Sequence, residues 1–216
     1  MGQIGNLPSN IIPENSLSNG HYLQVIVFHV RRLPHYYCVD KAIFLTWRLY
    51  GSLPPGRTLS TCTFEDQPSP GQAFAATDRL LDSACSGPLY LRQPELAQMV
   101  VEAIRCRHGG PYRLHNYVVM ANHVHLLITP EMPVSRLMQS LKRFTAREGN
   151  RILGSTGRPF WQDESYYRLV RDETEFGRIA HYIEMNPVRA GLVATPEEFP
   201  WSSAGRQINN LPHRSP

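Results

Sequence analysis

Two histidines, His123 and His125, sit two residues apart in the apolar run 117–128 (YVVMANHVHLLI), which reads as a β-strand. Side chains alternate faces along a strand, so both imidazoles project to one side while Val124, Leu126 and Ile128 project to the other. Two nitrogens held on a rigid strand make a chelate for a divalent metal, but two ligands leave the site open and demand a third from elsewhere. Further along, Phe176, Ile179, Ala180 and Ile183 form the apolar stripe of a helix, with Tyr182 and Asn186 at i and i+4 on its flank. If that flank faces the histidines, the Asn186 oxygen is the third ligand and Tyr182 lies beside the metal. A tyrosine oxygen placed there can attack phosphorus to give a phosphotyrosine. Taken singly, each residue has a plainer use. A His-x-His pair more often packs or faces solvent, a tyrosine on a helix flank keeps its hydroxyl wet, and asparagine is common where a helix ends.

The elements that must position these residues follow from periodicity and punctuation. Residues 22–30 are compatible with a strand, and 42–50 form a core strand closed by Gly51 and the Pro54-Pro55-Gly56 turn. A loop over 56–72 precedes a short helix over 74–84. A clearer helix has Pro94 in its first turn, carries Leu96, Val100, Ala103, Ile104 and Arg107 on one face, and stops at Gly109-Gly110. Strands 112–120 and 123–129 pair through a tight Ala121-Asn122 turn. A helix over 134–153 buries Leu137, Leu141, Phe144 and Ile152 and turns Arg136, Arg143, Arg147 and Arg151 outward. A last strand over 165–171 leads into the tyrosine helix, with Asp172 as N-cap and Glu175 three residues on. Pro187 predicts that this helix ends near Asn186. The order β-α-β-β-α-β describes a ferredoxin-like split βαβ sheet in the α+β class, with an added C-terminal helix carrying the tyrosine.

At 216 residues and 42% hydrophobic, the chain suits one sizeable domain. Cys38, Cys62, Cys85 and Cys106 form no Cys-x-x-Cys pair, which argues against a thiolate zinc site or a disulfide framework. The absence of a long apolar run or a secretory pattern leads to the expectation of a cytoplasmic protein with no membrane partner. Between Glu131 and Arg171, eight Lys or Arg residues stand against four acids, so this segment carries the whole formal excess of +4. Such a basic surface fits a polyanion, and on charge alone it fits an ordinary solvated helix face equally well.

The segments Val119-Met120-Ala121-Asn122-His123-Val124-His125-Leu126-Leu127 and His181-Tyr182-Ile183-Glu184-Met185-Asn186-Pro187-Val188-Arg189-Ala190-Gly191-Leu192-Val193 together resemble the REP-associated tyrosine transposases, a branch of the IS200-like, single-tyrosine HUH transposases. Arg31-Arg32-Leu33-Pro34-His35, Trp47-Arg48-Leu49-Tyr50-Gly51-Ser52-Leu53-Pro54, Leu141-Lys142-Arg143-Phe144-Thr145, Phe160-Trp161-Gln162 and Pro200-Trp201-Ser202-Ser203 extend the likeness. It implies a transposase domain over 31–204, an N-terminal extension over 1–30 that is disordered or atypical, and a flexible tail over 205–216. It also implies that His123, His125 and Asn186 hold Mg²⁺ or Mn²⁺ and that Tyr182 is the nucleophile. The family cuts single-stranded DNA at a tetranucleotide beside an imperfect palindromic hairpin, leaving a 5′-phosphotyrosine and a free 3′-hydroxyl. Ala121 stands where relatives commonly have proline, and the strand Tyr166-Tyr167-Arg168 lacks an acid often found there.

The resemblance implies single-stranded or hairpin DNA as partner, with REP-like palindromes and an adjacent tetranucleotide, bound by a monomer or homodimer. Phosphates would be met by Arg31, Arg32, Arg48, Arg136, Lys142, Arg143, Arg147 and Arg151, and unpaired bases by Trp47, Trp161 or Tyr166. For the two tryptophans, core packing is the more ordinary role. The leading expectation is a metal-dependent transposase and single-strand endonuclease that cleaves and rejoins DNA. The alternatives are a non-catalytic or host-tamed hairpin-binding protein, and a metallohydrolase that activates water on the His-x-His pair. Tyr166 and Tyr167 compete for the nucleophile role, but they face opposite ways along a strand and have no ligand-type residue at helical spacing.

Overall fold

A computed structural model of the chain describes residues 25–30, 33–38, 41–53, 70–83 and 87–205. Strands β1 (Val25–Val30) and β2 (Leu33–Cys38) form a two-stranded antiparallel hairpin. The main sheet contains β3 (Ile43–Arg48), β4 (Tyr112–Val119), β5 (His123–Pro130) and β6 (Tyr166–Leu169) in the order β4-β5-β3-β6. All three pairings are antiparallel. The helices are α1 (Pro70–Asp82), α2 (Pro94–Arg105), α3 (Val134–Ile152) and α4 (Glu173–Arg189). Helices α2 and α3 connect β3 to β4 and β5 to β6, which is the ferredoxin-like split βαβ arrangement expected from the sequence. Helix α1 and a 3₁₀ turn at Tyr90–Arg92 precede α2.

Alternation along the central strands divides the interior in two. Leu45, Trp47, Val124, Leu126 and Ile128 bury against the α2 and α3 residues Val100, Ile104, Leu137 and Leu141. Phe44, Leu127 and Val118 face the other way, against Ile183 and Phe176 of α4. Trp47 and Trp161 are core residues, their rings 6.1 Å apart, and the Trp161 indole N–H donates to Thr145 Oγ1 at 2.8 Å. The Ala121-Asn122 turn closes tightly, with Met120 N donating to His123 O at 2.9 Å. His123 and His125 therefore leave the turn on the α4 side of the sheet, opposite the larger core.

Four local readings change. Helix α1 begins at Pro70 and ends at Asp82, shifted from the expected 74–84. Helix α4 does not stop at Asn186 but runs through Pro187 to Arg189. A proline inside a helix costs about 3 kcal/mol or more, yet Ile183, Asn186 and Pro187 are all buried. Bonds from Ala190 N to Asn186 O and from Leu192 N to Pro187 O carry the ladder past the break. Tertiary packing thus outweighs the local preference. Asp172 caps α4 as expected, accepting from Glu175 N at 2.7 Å, but Glu175 does not return the bond. Its carboxylate takes Arg171 N and the guanidinium groups of Arg168 and Arg171 instead. Phe144, expected inside, lies at the surface between the Arg107 and Arg147 guanidinium carbons, 5.2 Å and 5.6 Å from its ring centre.

Candidate metal centre and nucleophile

His123 and His125 are wholly buried, and each ring is fixed through Nδ1. His125 Nδ1 lies 2.7 Å from Thr46 Oγ1, its cross-strand neighbour on β3, and His123 Nδ1 lies 2.7 Å from Asn122 Oδ1. The Asn122 amide is oriented by its other end, since Nδ2 donates to Leu81 O of α1 at 3.0 Å. Its oxygen therefore faces the ring and can only accept, so His123 carries its proton on Nδ1 and offers the lone pair of Nε2. Such an outer hydrogen bond orients metal-binding imidazoles.

The group completing this cluster is one the sequence reading missed. Asp78 of α1 brings Oδ1 to 3.2 Å from His125 Nε2 and 3.7 Å from His123 Nε2. Among the described residues, Asp78, His123 and His125 are the cluster of His, Cys, Asp and Glu that could hold a metal ion, their donor atoms within 4.8 Å of one another. One turn on, Asp82 Oδ1 lies 3.6 Å from His123 Nε2. The available signal was the i, i+4 pair of acids on one side of a short helix, next to Leu81, which packs with Leu53 and Tyr166.

Burial governs the electrostatics. It pushes His123 down to about 3, aided by the neighbouring His125 and opposed by Asp78, so the ring is neutral at pH 7. Burial and the Asp78 charge push Asp82 up to about 7, against His125 and Arg189. For Asp78, burial acts upward but is outweighed by both histidines and by a hydrogen bond from Tyr182, holding it below the usual carboxylate range. The residues fit a divalent ion: two imidazoles on one strand, an ionised carboxylate, and a His123 Nε2 buried without a hydrogen-bond partner.

Tyr182 reaches this cluster from α4. Its hydroxyl donates to Asp78 Oδ2, its ring meets His125 at 5.7 Å and Phe44 at 6.2 Å, and the Arg189 guanidinium carbon lies 4.2 Å from its ring centre. Burial, reinforced by Asp78, raises its pKa well above that of an ordinary tyrosine, with Arg189 opposing. Asn186, one turn later, is fully buried, and neither atom of its amide has a hydrogen-bond partner. Of the two rival tyrosines, Tyr166 joins the Phe44 side and Tyr167 packs toward the larger core.

The basic residues divide. Arg136, Arg143, Arg147 and Arg151 are exposed on α3, the last two sharing Glu148. Arg48 and Lys142, expected to meet DNA, are internal braces. Arg48 is 3% exposed and donates to Glu164 at 2.7 Å. Lys142 Nζ donates to the carbonyls of Gln162 and Asp163 and to Ser165 Oγ, at 2.6, 3.0 and 3.2 Å. Burial lowers its pKa to about 8 in spite of Asp163 and Glu164. Both cations are already bound to the loop between α3 and β6. Arg31, Arg32, residues 1–24 and the tail from 206 lie outside the described residues.

The split βαβ sheet thus carries a buried His-x-His pair, with the helix-borne Tyr182 against it. Residues 95–186 match the family model described as "Transposase IS200 like". A REP-associated tyrosine transposase of Escherichia coli (strain K12) is 27% identical over 116 residues, covering 51% of this chain and 66% of that relative. The structure described as a REP-associated tyrosine transposase bound to a REP hairpin shares the fold. Its TM-score is 0.51 at 18% identity, over 84% of this chain and 87% of that one. No helix among the described residues is long and apolar enough to cross a membrane.

Proposed function

We propose that the chain is a metal-dependent single-strand DNA endonuclease and strand transferase that cleaves and rejoins DNA beside palindromic hairpins, with Tyr182 as nucleophile. The observation that carries this reading is the Tyr182 hydroxyl lodged against the carboxylate that bridges both histidines. A protein that only binds hairpins has no use for that convergence, and a water-activating hydrolase has no use for the tyrosine.

In this reading Tyr182 Oη attacks the scissile phosphorus. The O–P bond to tyrosine forms as the P–O3′ bond breaks, leaving a 5′-phosphotyrosine. The phenol proton departs along its hydrogen bond to Asp78 and on to solvent, and the leaving 3′ oxygen takes a proton from water. Attack by the same 3′-hydroxyl, or one on another strand, reverses the step. His123, His125 and Asp78 would hold Mg²⁺ or Mn²⁺, with Asn186 as the further donor from α4. When bound, such an ion supplies positive charge to a phosphate oxygen. Two imidazoles favour Mn²⁺ over Mg²⁺. The exposed arginines of α3 would meet DNA phosphates.

The test is a labelled hairpin oligonucleotide with a single-stranded 5′ arm, incubated with the protein and Mn²⁺ and resolved under denaturing conditions. The expected result is a covalent protein–DNA band that disappears with EDTA and in Tyr182→Phe but persists in Tyr166→Phe and Tyr167→Phe. No band under any metal, with DNA binding intact, returns the chain to the binding-only alternative.

A further inference from the structure

Because α4 continues through Pro187, positions 182, 186 and 189 share one helix face at i, i+4 and i+7. Arg189 is thereby set over the nucleophile. Its guanidinium carbon is 4.2 Å from the Tyr182 ring centre, and Nη2 is 4.0 Å from Asp78 Oδ2 and 3.9 Å from Asp82 Oδ2. Those carboxylate separations exceed hydrogen-bond length. The side chain is 40% exposed, whereas Asp78 and both histidines are closed to solvent. The phenol touches Asp78, Phe44 and His125, and the partly exposed Arg189 guanidinium lies over its ring. A phosphodiester brought to Tyr182 Oη comes within reach of this partly exposed guanidinium, whose planar fork of donors matches two phosphate oxygens.

We propose that Arg189 is a further catalytic residue, gripping the non-bridging oxygens of the scissile phosphodiester and holding positive charge beside the phenol oxygen as it attacks. This rests on the reading of Tyr182 as nucleophile. The guanidinium lies over the phenol ring and beside both carboxylates, so it sets positive charge between the buried acids and an incoming phosphate.

Two experiments separate this role from the one it rests on. The first uses Tyr182→Phe, which keeps the ring under the guanidinium but cannot react. Binding is measured for hairpin oligonucleotides in which a single neutral methylphosphonate is stepped along the single-stranded arm. Arg189→Ala should weaken binding to all-phosphate DNA about tenfold and have no effect at one methylphosphonate position, while keeping its full effect at the others. An equal effect at every position overturns the proposal. The second measures covalent adduct formation with Tyr182 present. Arg189→Ala should slow it by about 10²–10³-fold, with Arg189→Lys recovering part of the loss and urea midpoints matching the parent. An unchanged rate also overturns the proposal. If the parent chain forms no adduct, the reading of Tyr182 fails, and the methylphosphonate series still decides whether Arg189 holds a phosphate.

Discussion

Replacing Asp82 by asparagine should stabilise the metal-free protein, and only at neutral to alkaline pH. Asp82 is buried one helical turn from the ionised Asp78, and burial with that charge raises its pKa from 3.8 to about 7. The folded state therefore holds this proton more tightly than the unfolded chain. The stability it contributes is fully present below pH 3.8 and is lost as pH rises through 7. A rise of roughly three units at about 1.4 kcal/mol each makes the loss about 4 kcal/mol at pH 8 to 9. The asparagine leaves a buried amide that costs about 1–2 kcal/mol. Asp82→Asn should then exceed the parent by about 2–3 kcal/mol at pH 8.5, or about 4–12 °C in Tm for a domain of this size, and fall about 1 kcal/mol below it near pH 4, where the cost of the buried amide is no longer offset. His123, held down to about 3, loses stability in the opposite sense as pH falls below 6.5. Both proteins share that contribution, so the difference isolates Asp82. Urea unfolding from pH 4 to 9 in EDTA is the assay. A gain independent of pH, or no gain at pH 8.5, would refute the electrostatic account of this pair.

Replacing His123 and His125 together by alanine should abolish Mn²⁺ binding measured by electron paramagnetic resonance, and Asp78→Asn should weaken it by one to two orders of magnitude; unchanged affinity in the double mutant dismisses the metal centre. Gly149→Ala would place a Cβ 2.5 Å from Phe160 Cε2, so calorimetry should find a loss of about 1–3 kcal/mol through overpacking. Replacing Arg143 and Arg147 by alanine should make the salt dependence of hairpin binding shallower by about 0.7–0.9 for each DNA phosphate that an arginine no longer neutralises. An unaltered slope would mean that this arginine stripe is ordinary solvated surface.

The strand pair, the tyrosine helix and the order of the sheet were legible because each is written in local periodicity. His123 and His125 alternate with Val124 and Leu126, and that alternation alone assigns them to the face opposite the main core. The extent of α4 was not legible, because the burial that carries the helix past Pro187 belongs to the sheet beneath it. Asp78 was hidden for a related reason. Its helix is short and lies far from the histidines in sequence, and only the Asn122-to-Leu81 bond and the packing of Leu81 bring its acids over the turn. In the sequence Arg48 and Lys142 look like any other cations, and only tertiary structure reveals the Glu164 carboxylate and the carbonyl cluster that hold them.

The most direct measurement is the chemical identity of the protein–DNA linkage. The chain is incubated with a hairpin oligonucleotide and Mn²⁺, the covalent product is digested with nuclease and protease, and the modified peptide is sequenced by tandem mass spectrometry. A 5′-phosphonucleotide on Tyr182 is the predicted result. The same group on Tyr166 or Tyr167, or strand cleavage with no modified peptide, would contradict the account of this site.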